Sequence, residues 1–154
     1  MRSPRLRLHA AQALIALALI AAVAVFSPEQ GFAPAPAAAD EVRRAYAIDG
    51  DTIEADGQRY RLANIDTPEM GQGARCAAER RLAQRATQRA RALIDAAARI
   101  ETHAIGRTDR YGRQVAYVLI DGRDLGEALI AEGLARPWRG RREPWCDGQN
   151  RLAR

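Results

Sequence analysis

Two kinds of patterning divide the chain. Residues 13–26 form an uncharged apolar run of fourteen, with Arg2, Arg5 and Arg7 ahead of it, and from residue 42 onward short stretches of mixed apolar and polar character take over. Residues 42–48 predict a first strand, closed by the turn pair Asp49-Gly50. Residues 52–55 and 59–65 predict two more strands joined by Asp56-Gly57, a two-residue hairpin signal, with Tyr60, Leu62 and Asn64 on one side of the latter strand. The turn-forming Asp66-Thr67-Pro68 leads into a flexible stretch, residues 70–73, with two glycines. Residues 77–98 carry the longest helical pattern, with Leu82, Ala86, Ala90, Leu93 and Ala97 at spacings of three and four and Arg80, Arg81, Arg85, Arg89 and Arg91 on the remaining surface. Residues 100–104 and 114–120 return to strand chemistry, followed by a turn at Asp121-Gly122. Asp124 is placed to cap a short helix, residues 125–132, which Gly133 ends. Beyond Pro137 the chain is Arg-rich and irregular, with room for one last turn near the terminus.

Three strands, a helix, two strands and a helix argue for a β-rich α+β domain. The expected architecture is a small five-stranded barrel of the OB-fold type with two to three helices, not a βαβ sheet.

The apolar run at the start suits an address better than a core. It is shorter than the roughly 20 residues a spanning helix needs, and its Arg-rich lead-in fits a signal peptide. Small-residue sites for cleavage lie at residues 22–24 and 37–39. The alternative is an uncleaved anchor, with residues 10–26 as membrane tether and 27–39 as a Pro/Ala linker. Either reading makes residues 1–39 a leader and 40–154 the folded domain, secreted or periplasmic, which is expected to be a monomer.

Composition narrows the function without naming it. The formal charge is +5, and all 24 basic residues are Arg, which suits forked contacts to phosphate although coding bias explains it as cheaply. Loss of the leader removes three Arg and Glu29, leaving a mildly basic domain in which any phosphate binding must be local. Charged residues at 28% exclude a multi-span membrane protein. His9 and His103 lack zinc spacing, and two cysteines with no Cys-x-x-Cys give no structural zinc site.

Candidate chemistry gathers at the turns. Asp51 follows the first strand, and Asp66 and Glu69 follow the third. A hard cation such as Ca²⁺ needs several oxygen ligands, which strand ends meeting in a barrel can supply. Each segment taken alone reads first as an ordinary turn, because Asp, Gly and Pro are the default turn residues. An EF-hand is excluded, because a run starting at Asp49 has Ile53 at its fifth position and Tyr60 at its twelfth. Arg61 lies five residues before Asp66, and residues 107–113 pack Arg107, Arg110, Arg113 and Tyr111 into a loop that can bind phosphate and stack on a base.

In order and spacing, four segments resemble the staphylococcal-nuclease (thermonuclease) family: Ile48-Asp49-Gly50-Asp51-Thr52, residues 61–69 (RLANIDTPE), residues 108–113 (TDRYGR) and residues 127–135 (EALIAEGLA). The resemblance implies an OB-fold nuclease that uses Ca²⁺ to cleave phosphodiester bonds of DNA and RNA. It implies metal carboxylates at Asp51 and Asp66, a backbone carbonyl ligand at Thr67, and a water-positioning or water-deprotonating carboxylate at Glu69. It also implies Arg61 and Arg113 on the scissile phosphate, and Arg110 and Tyr111 near the nucleotide's terminal phosphate. The sequence departs from the family in a short segment at residues 70–78, in Arg136-Pro137-Trp138-Arg139 where a Tyr-bearing segment is typical, and in a C-terminal helix reduced to residues 143–154. Trp138 offers a replacement stacking ring, although both Trp138 and Trp145 are expected to pack against the barrel. The Arg136 to Arg142 run reads either as an accessory phosphate contact or as a solvated tail.

Export to an oxidising compartment and an even cysteine count predict a disulfide between Cys76 and Cys146, the alternative being two buried free thiols. The rival function is a non-catalytic OB module that binds nucleic acid or protein in the cell envelope, against which three converging carboxylates argue.

Overall fold

The computed structural model describes residues 39–147 and 149–153, so the leader and its cleavage or tether lie outside the described residues. The chain folds into β1 (Asp40–Glu41), β2 (Ala45–Ala47), β3 (Thr52–Ala55), β4 (Gln58–Leu62), β5 (Ile65–Asp66), α1 (Ala77–Ala96), β6 (Ile100–Thr108), β7 (Gln114–Ile120), β8 (Arg123–Asp124), α2 (Leu125–Ala131) and β9 (Arg136–Pro137). A 3₁₀ turn, Gly71–Gly73, precedes α1. One strand-rich sheet runs in the order β1-β6-β7-β4-β3-β2, with β8 beside β7, while β5 and β9 pair separately. The sheet curls, and its two edge strands, β1 and β2, are separated by only three residues of chain. Among the described residues no helix is long and apolar enough to cross a membrane.

The expected first strand, residues 42–48, is corrected to the shorter β2, with β1 lying just ahead of the expected span and residues 42–44 between them. The Asp56 carboxylate accepts hydrogen bonds from the N–H groups of Arg43 and Arg44, each at 3.0 Å, and so takes those donors away from a ladder. Asp56 (φ 47°) and Gly57 (φ 84°) both hold the left-handed conformations of a tight hairpin turn. The expected third strand likewise breaks at Ala63 and Asn64 into β4 and β5, because β5 leaves the main sheet to pair with β9. The strand expected at residues 100–104 extends to Thr108 through a register shift after Ala104, where Gly106 (φ 75°) supplies the bend. The helix expected at residues 77–98 ends at Ala96, and the second, expected at residues 125–132, ends at Ala131. After α2 the described residues hold β9 and a single bridge between Cys146 and Leu152, but no helix.

Ile53, Leu62, Ile65, Val118, Leu125 and Leu129 are almost wholly buried and form the core. Helix α1 lays Leu82, Ala86, Ala90 and Ile94 against it, a face at helical period. Its small alanines admit close approach of the sheet. In α2, Gly126 permits another close contact, since a Cβ there would meet Asn64 at 2.6 Å and Ile65 at 2.8 Å.

Candidate active site

Sheet register brings the functional positions together. Thr52 pairs with Arg61 across β3 and β4, and Tyr60 pairs with Gln114 in the parallel β4–β7 ladder. Arg113, one residue before β7, therefore lies beside the strand carrying Arg61, and Asp51 lies just before Thr52. Asp66 ends β5, held in register opposite Arg136. The turn before Asp51 packs tightly, because a Cβ on Gly50 would come within 2.9 Å of Thr67 Cγ2 and 3.0 Å of Ala86 Cβ. Glycine at position 50 is what lets the Asp51 turn, the Thr67 segment and α1 meet.

These elements wall a cleft of about 810 Å³ lined by Asp49, Asp51, Arg61, Thr67, Glu69, Arg110, Tyr111, Arg113, Trp138 and Arg142 among others. At its floor Arg61 Nη2 lies 3.1 Å from Asp51 Oδ2 and 3.8 Å from Asp66 Oδ1, while its Nη1 donates to the Leu62 carbonyl at 2.6 Å. Thr67 is buried, and its N–H donates to Asp51 Oδ2 at 3.3 Å. Burial lowers the guanidinium pKa of Arg61 from its ordinary value, while the charge of Asp51 pulls it back up. Glu69 stands half-buried at the rim.

The carboxylates are held at a cost in solvation. Burial raises the pKa of Asp66 and of Glu69, with Arg142 opposing in both cases, and it raises Asp49 with help from the charge of Asp51. Asp66 Oδ1 is buried with no hydrogen-bond partner. A buried acceptor in that state calls for a cation or a donor. Arg142, on the C-terminal segment, brings one: its guanidinium pairs with Glu69 and approaches Asp66 Oδ1 at 3.7 Å and Asp51 Oδ2 at 3.9 Å.

The opposite wall is the β6–β7 hairpin tip. Asp109 accepts from the N–H groups of Tyr111 (2.8 Å) and Arg113 (3.0 Å) and from Arg113 Nε (2.7 Å). Burial works against the charge on Asp109, but these hydrogen bonds hold its carboxyl below the usual range. Arg113 also donates through Nη1 to Thr52 Oγ1 at 2.7 Å, which fixes its fork across three strands. Tyr111 is 68% exposed, with the Arg110 and Arg113 guanidiniums 4.9 and 5.4 Å from its ring centre. Arg110 is exposed.

Cys76 and Cys146 are bonded, with Cα atoms 6.1 Å apart. Among the described residues the one close trio of metal-ligand types is Cys76, Glu79 and Cys146, and its thiols are consumed by the bridge. Asp51, Asp66 and Glu69 do not form such a trio; they spread more widely around the Arg142 guanidinium.

Three contributors were not legible in the sequence as part of the site. Arg142 was one member of an Arg run with two readings. Trp145 was expected to pack; it is buried in the core, and its Nε1 also donates to Asp66 Oδ2 at 3.1 Å. Glu79, in the first turn of α1, accepts from the N–H groups of Glu69 (3.2 Å) and Arg75 (2.7 Å) and so ties down the loop that carries Glu69. The signal available for Glu79 was its position three residues after a helix cap, but Cys76 is not a usual cap residue. Trp138 stands 5.7 Å from the Arg61 guanidinium, at the cleft.

A curled sheet carries two helices and a cleft that sets acidic groups against forked guanidiniums. The sequence profile described as "Staphylococcal nuclease homologue" matches residues 59–152, more than half of the chain, and the chain belongs to that family. It is 38% identical over 97 residues to endonuclease YncB of Bacillus subtilis, covering 58% of this chain and 44% of that protein. It is equally similar, over the same share of this chain, to the SPbeta prophage-derived endonuclease YokF of B. subtilis, of which 31% is covered. A third relative, the succinoglycan biosynthesis protein ExoI of Rhizobium meliloti, is 37% identical over 105 residues, 66% of this chain and 54% of that protein. The chain thus spans less than half the length of the two endonucleases it matches.

Proposed function

We propose that this protein is an exported, monomeric nuclease that hydrolyses phosphodiester bonds of DNA and RNA with the help of calcium. The observation that carries the reading is one cleft lined by Asp51, Glu69, Arg61 and Arg113, with the buried Asp66 against Arg61 at its floor. In support, two relatives bear the name endonuclease. The leader, read as a signal or a tether, is the basis for export. We read β1 and β2 as two halves of one barrel strand, which makes the curled sheet a five-stranded OB barrel.

Asp51 and Asp66, with the Thr67 carbonyl, are the groups that would hold the ion. The fit rests on chemistry: the donors are all oxygen, Asp66 Oδ1 is buried without a hydrogen-bond partner, and the guanidinium of Arg142 already stands among the acids as a positive charge. Bound there, a calcium ion supplies charge stabilisation to the phosphate oxygens. Arg61 and Arg113 present directed donors to a phosphorus centre that gathers negative charge, and both are oriented before substrate arrives by Asp51 and by Asp109 with Thr52. Glu69, at the rim, orients the attacking water or takes its proton. Arg110 and Tyr111 bind the terminal phosphate and the face of a base from the hairpin tip.

The test is digestion of DNA and of RNA by the purified protein with Ca²⁺, with Ca²⁺ chelated, and with Mg²⁺. Cleavage in Ca²⁺ that stops on chelation and is not restored by Mg²⁺ is expected, because few but adaptable oxygen ligands suit the larger ion. Tight nucleic-acid binding without cleavage would instead favour the non-catalytic module.

A further inference from the structure

The two oxygens of Asp66 have different neighbours. Oδ1 makes no hydrogen bond and has only the long ion-pair contacts to Arg61 (3.8 Å) and Arg142 (3.7 Å), whereas Oδ2 accepts the indole N–H of Trp145. An indole N–H is a donor only, so it can orient a carboxylate without competing as a ligand. A carboxylate with one oxygen tied presents the other in a defined direction, and such supporting contacts tune a cation site.

Trp145 belongs to a segment with little regular structure, yet it is only 6% exposed. Two devices hold it. The Arg136 guanidinium stacks on the ring at 3.8 Å and is itself anchored by donating to the carbonyls of Pro144 (3.1 Å) and Ala153 (2.8 Å). The next residue, Cys146, is bonded to Cys76 at the start of α1. The bridge is therefore the covalent tie between the helix and the segment that delivers the indole to Asp66.

We propose that Trp145 is a positioning residue for Asp66 and that the Cys76–Cys146 bridge holds it there, coupling cation binding to the oxidation of the bridge. The inference rests on the reading of Asp66 as a cation ligand. Its consequence is a protein that binds its cation poorly in a reducing cytoplasm and well after export. Opening the bridge with dithiothreitol transfers two electrons and two protons to it, giving two thiols and the cyclic oxidised reagent.

Calorimetric titration of the purified full chain with CaCl₂ tests this, oxidised and after dithiothreitol, for the wild type and for Trp145→Phe. Trp145→Phe is expected to weaken calcium binding about 10- to 100-fold, the range typical of a lost supporting contact, while turnover recovers at saturating calcium and KM for nucleic acid is unchanged. Reduced wild-type protein, its fold checked by circular dichroism, should show a similar loss without any substitution, and reduction of Trp145→Phe should add little. Equal calcium affinity in Trp145→Phe and wild type would overturn the proposal, as would a folded, reduced protein that binds calcium as tightly as the oxidised one. Unfolding on reduction would overturn the coupling and assign the bridge to folding alone. No calcium binding by oxidised wild type would overturn the cation site itself, a result distinct from the others.

Discussion

The two walls of the cleft are built on opposite principles. On the carboxylate wall Asp51 and Asp66 are 2% and 4% exposed, Arg61 is buried between them, and the turns that carry them are packed against α1 and the core. On the hairpin wall Tyr111 and Arg110 stand in solvent, and order comes from one local turn in which Asp109 collects three donors. The buried wall holds its geometry through desolvated charges that must compensate one another, so its residues matter to both folding and chemistry. The exposed wall is organised mainly by hydrogen bonds within its own turn, with Arg113 alone reaching across to Thr52, so its residues can be changed for chemistry with little effect on the fold.

Substitution of Arg61 tests the buried wall most severely. Arg61→Met leaves Asp51 and Asp66 without their shared guanidinium, and the expected loss is about 3 kcal/mol or more of stability, read as a lower urea midpoint, together with loss of cleavage. A midpoint close to wild type would show that Arg142 and solvent compensate both acids, and the contrast between the walls would fail.

The hairpin wall should give the reverse result. Arg113→Lys keeps the charge but not the fork that Asp109 and Thr52 orient, so turnover should fall at least about 100-fold, as for loss of a transition-state donor, with the urea midpoint nearly unchanged. Glu69→Gln, at the rim, should be comparably damaging to turnover. Near wild-type rates in either variant would remove that residue from the chemistry.

The pH dependence of stability sharpens the comparison further. Burial raises Asp49, Asp66 and Glu69 in the folded state, so the native protein binds more protons than the unfolded chain between the ordinary carboxylate range and the raised values. Stability in that window must fall as pH rises, and is greatest at its acidic end. On the hairpin wall Asp109 is lowered, which gives the opposite slope at lower pH. Thermal melts without added cation should show this rise on mild acidification, and added calcium should flatten it.

The smallest expected effect belongs to Arg142. Its side chain is 43% exposed and brings positive charge to the acids that would hold the cation. Arg142→Gln should therefore tighten calcium binding by about two- to fivefold, the scale of a largely solvated ion pair. Weaker binding in this variant would make Arg142 a supporting group and not a competitor.

Most of the fold and part of the site were legible from local signals. The Asp56-Gly57 hairpin, the cap at Asp124 with Gly133 beyond it, and the alanine-rich face of α1 follow from spacing and backbone preference within a few residues. The ordered segments around Asp51, Asp66 and Arg113 likewise carried the family, and of the candidates they offered Asp51, Arg61, Glu69 and Arg113 line the cleft. The break of the first strand was not legible, because the donors of Arg43 and Arg44 are taken by a carboxylate twelve or more residues away.

By itself the sequence determined which side chains are available and where the chain turns, since both are set by residues close together along it. Only the tertiary structure decided their company. Trp145 meets Asp66 across 79 residues, and Arg142 reaches Glu69 from a segment whose composition reads as a solvated tail. Glu79 becomes the anchor of the Glu69 loop because α1 begins beside it. Such contacts depend on how helix, sheet and C-terminal segment pack, and no periodicity or short motif encodes a distance between elements far apart in the chain.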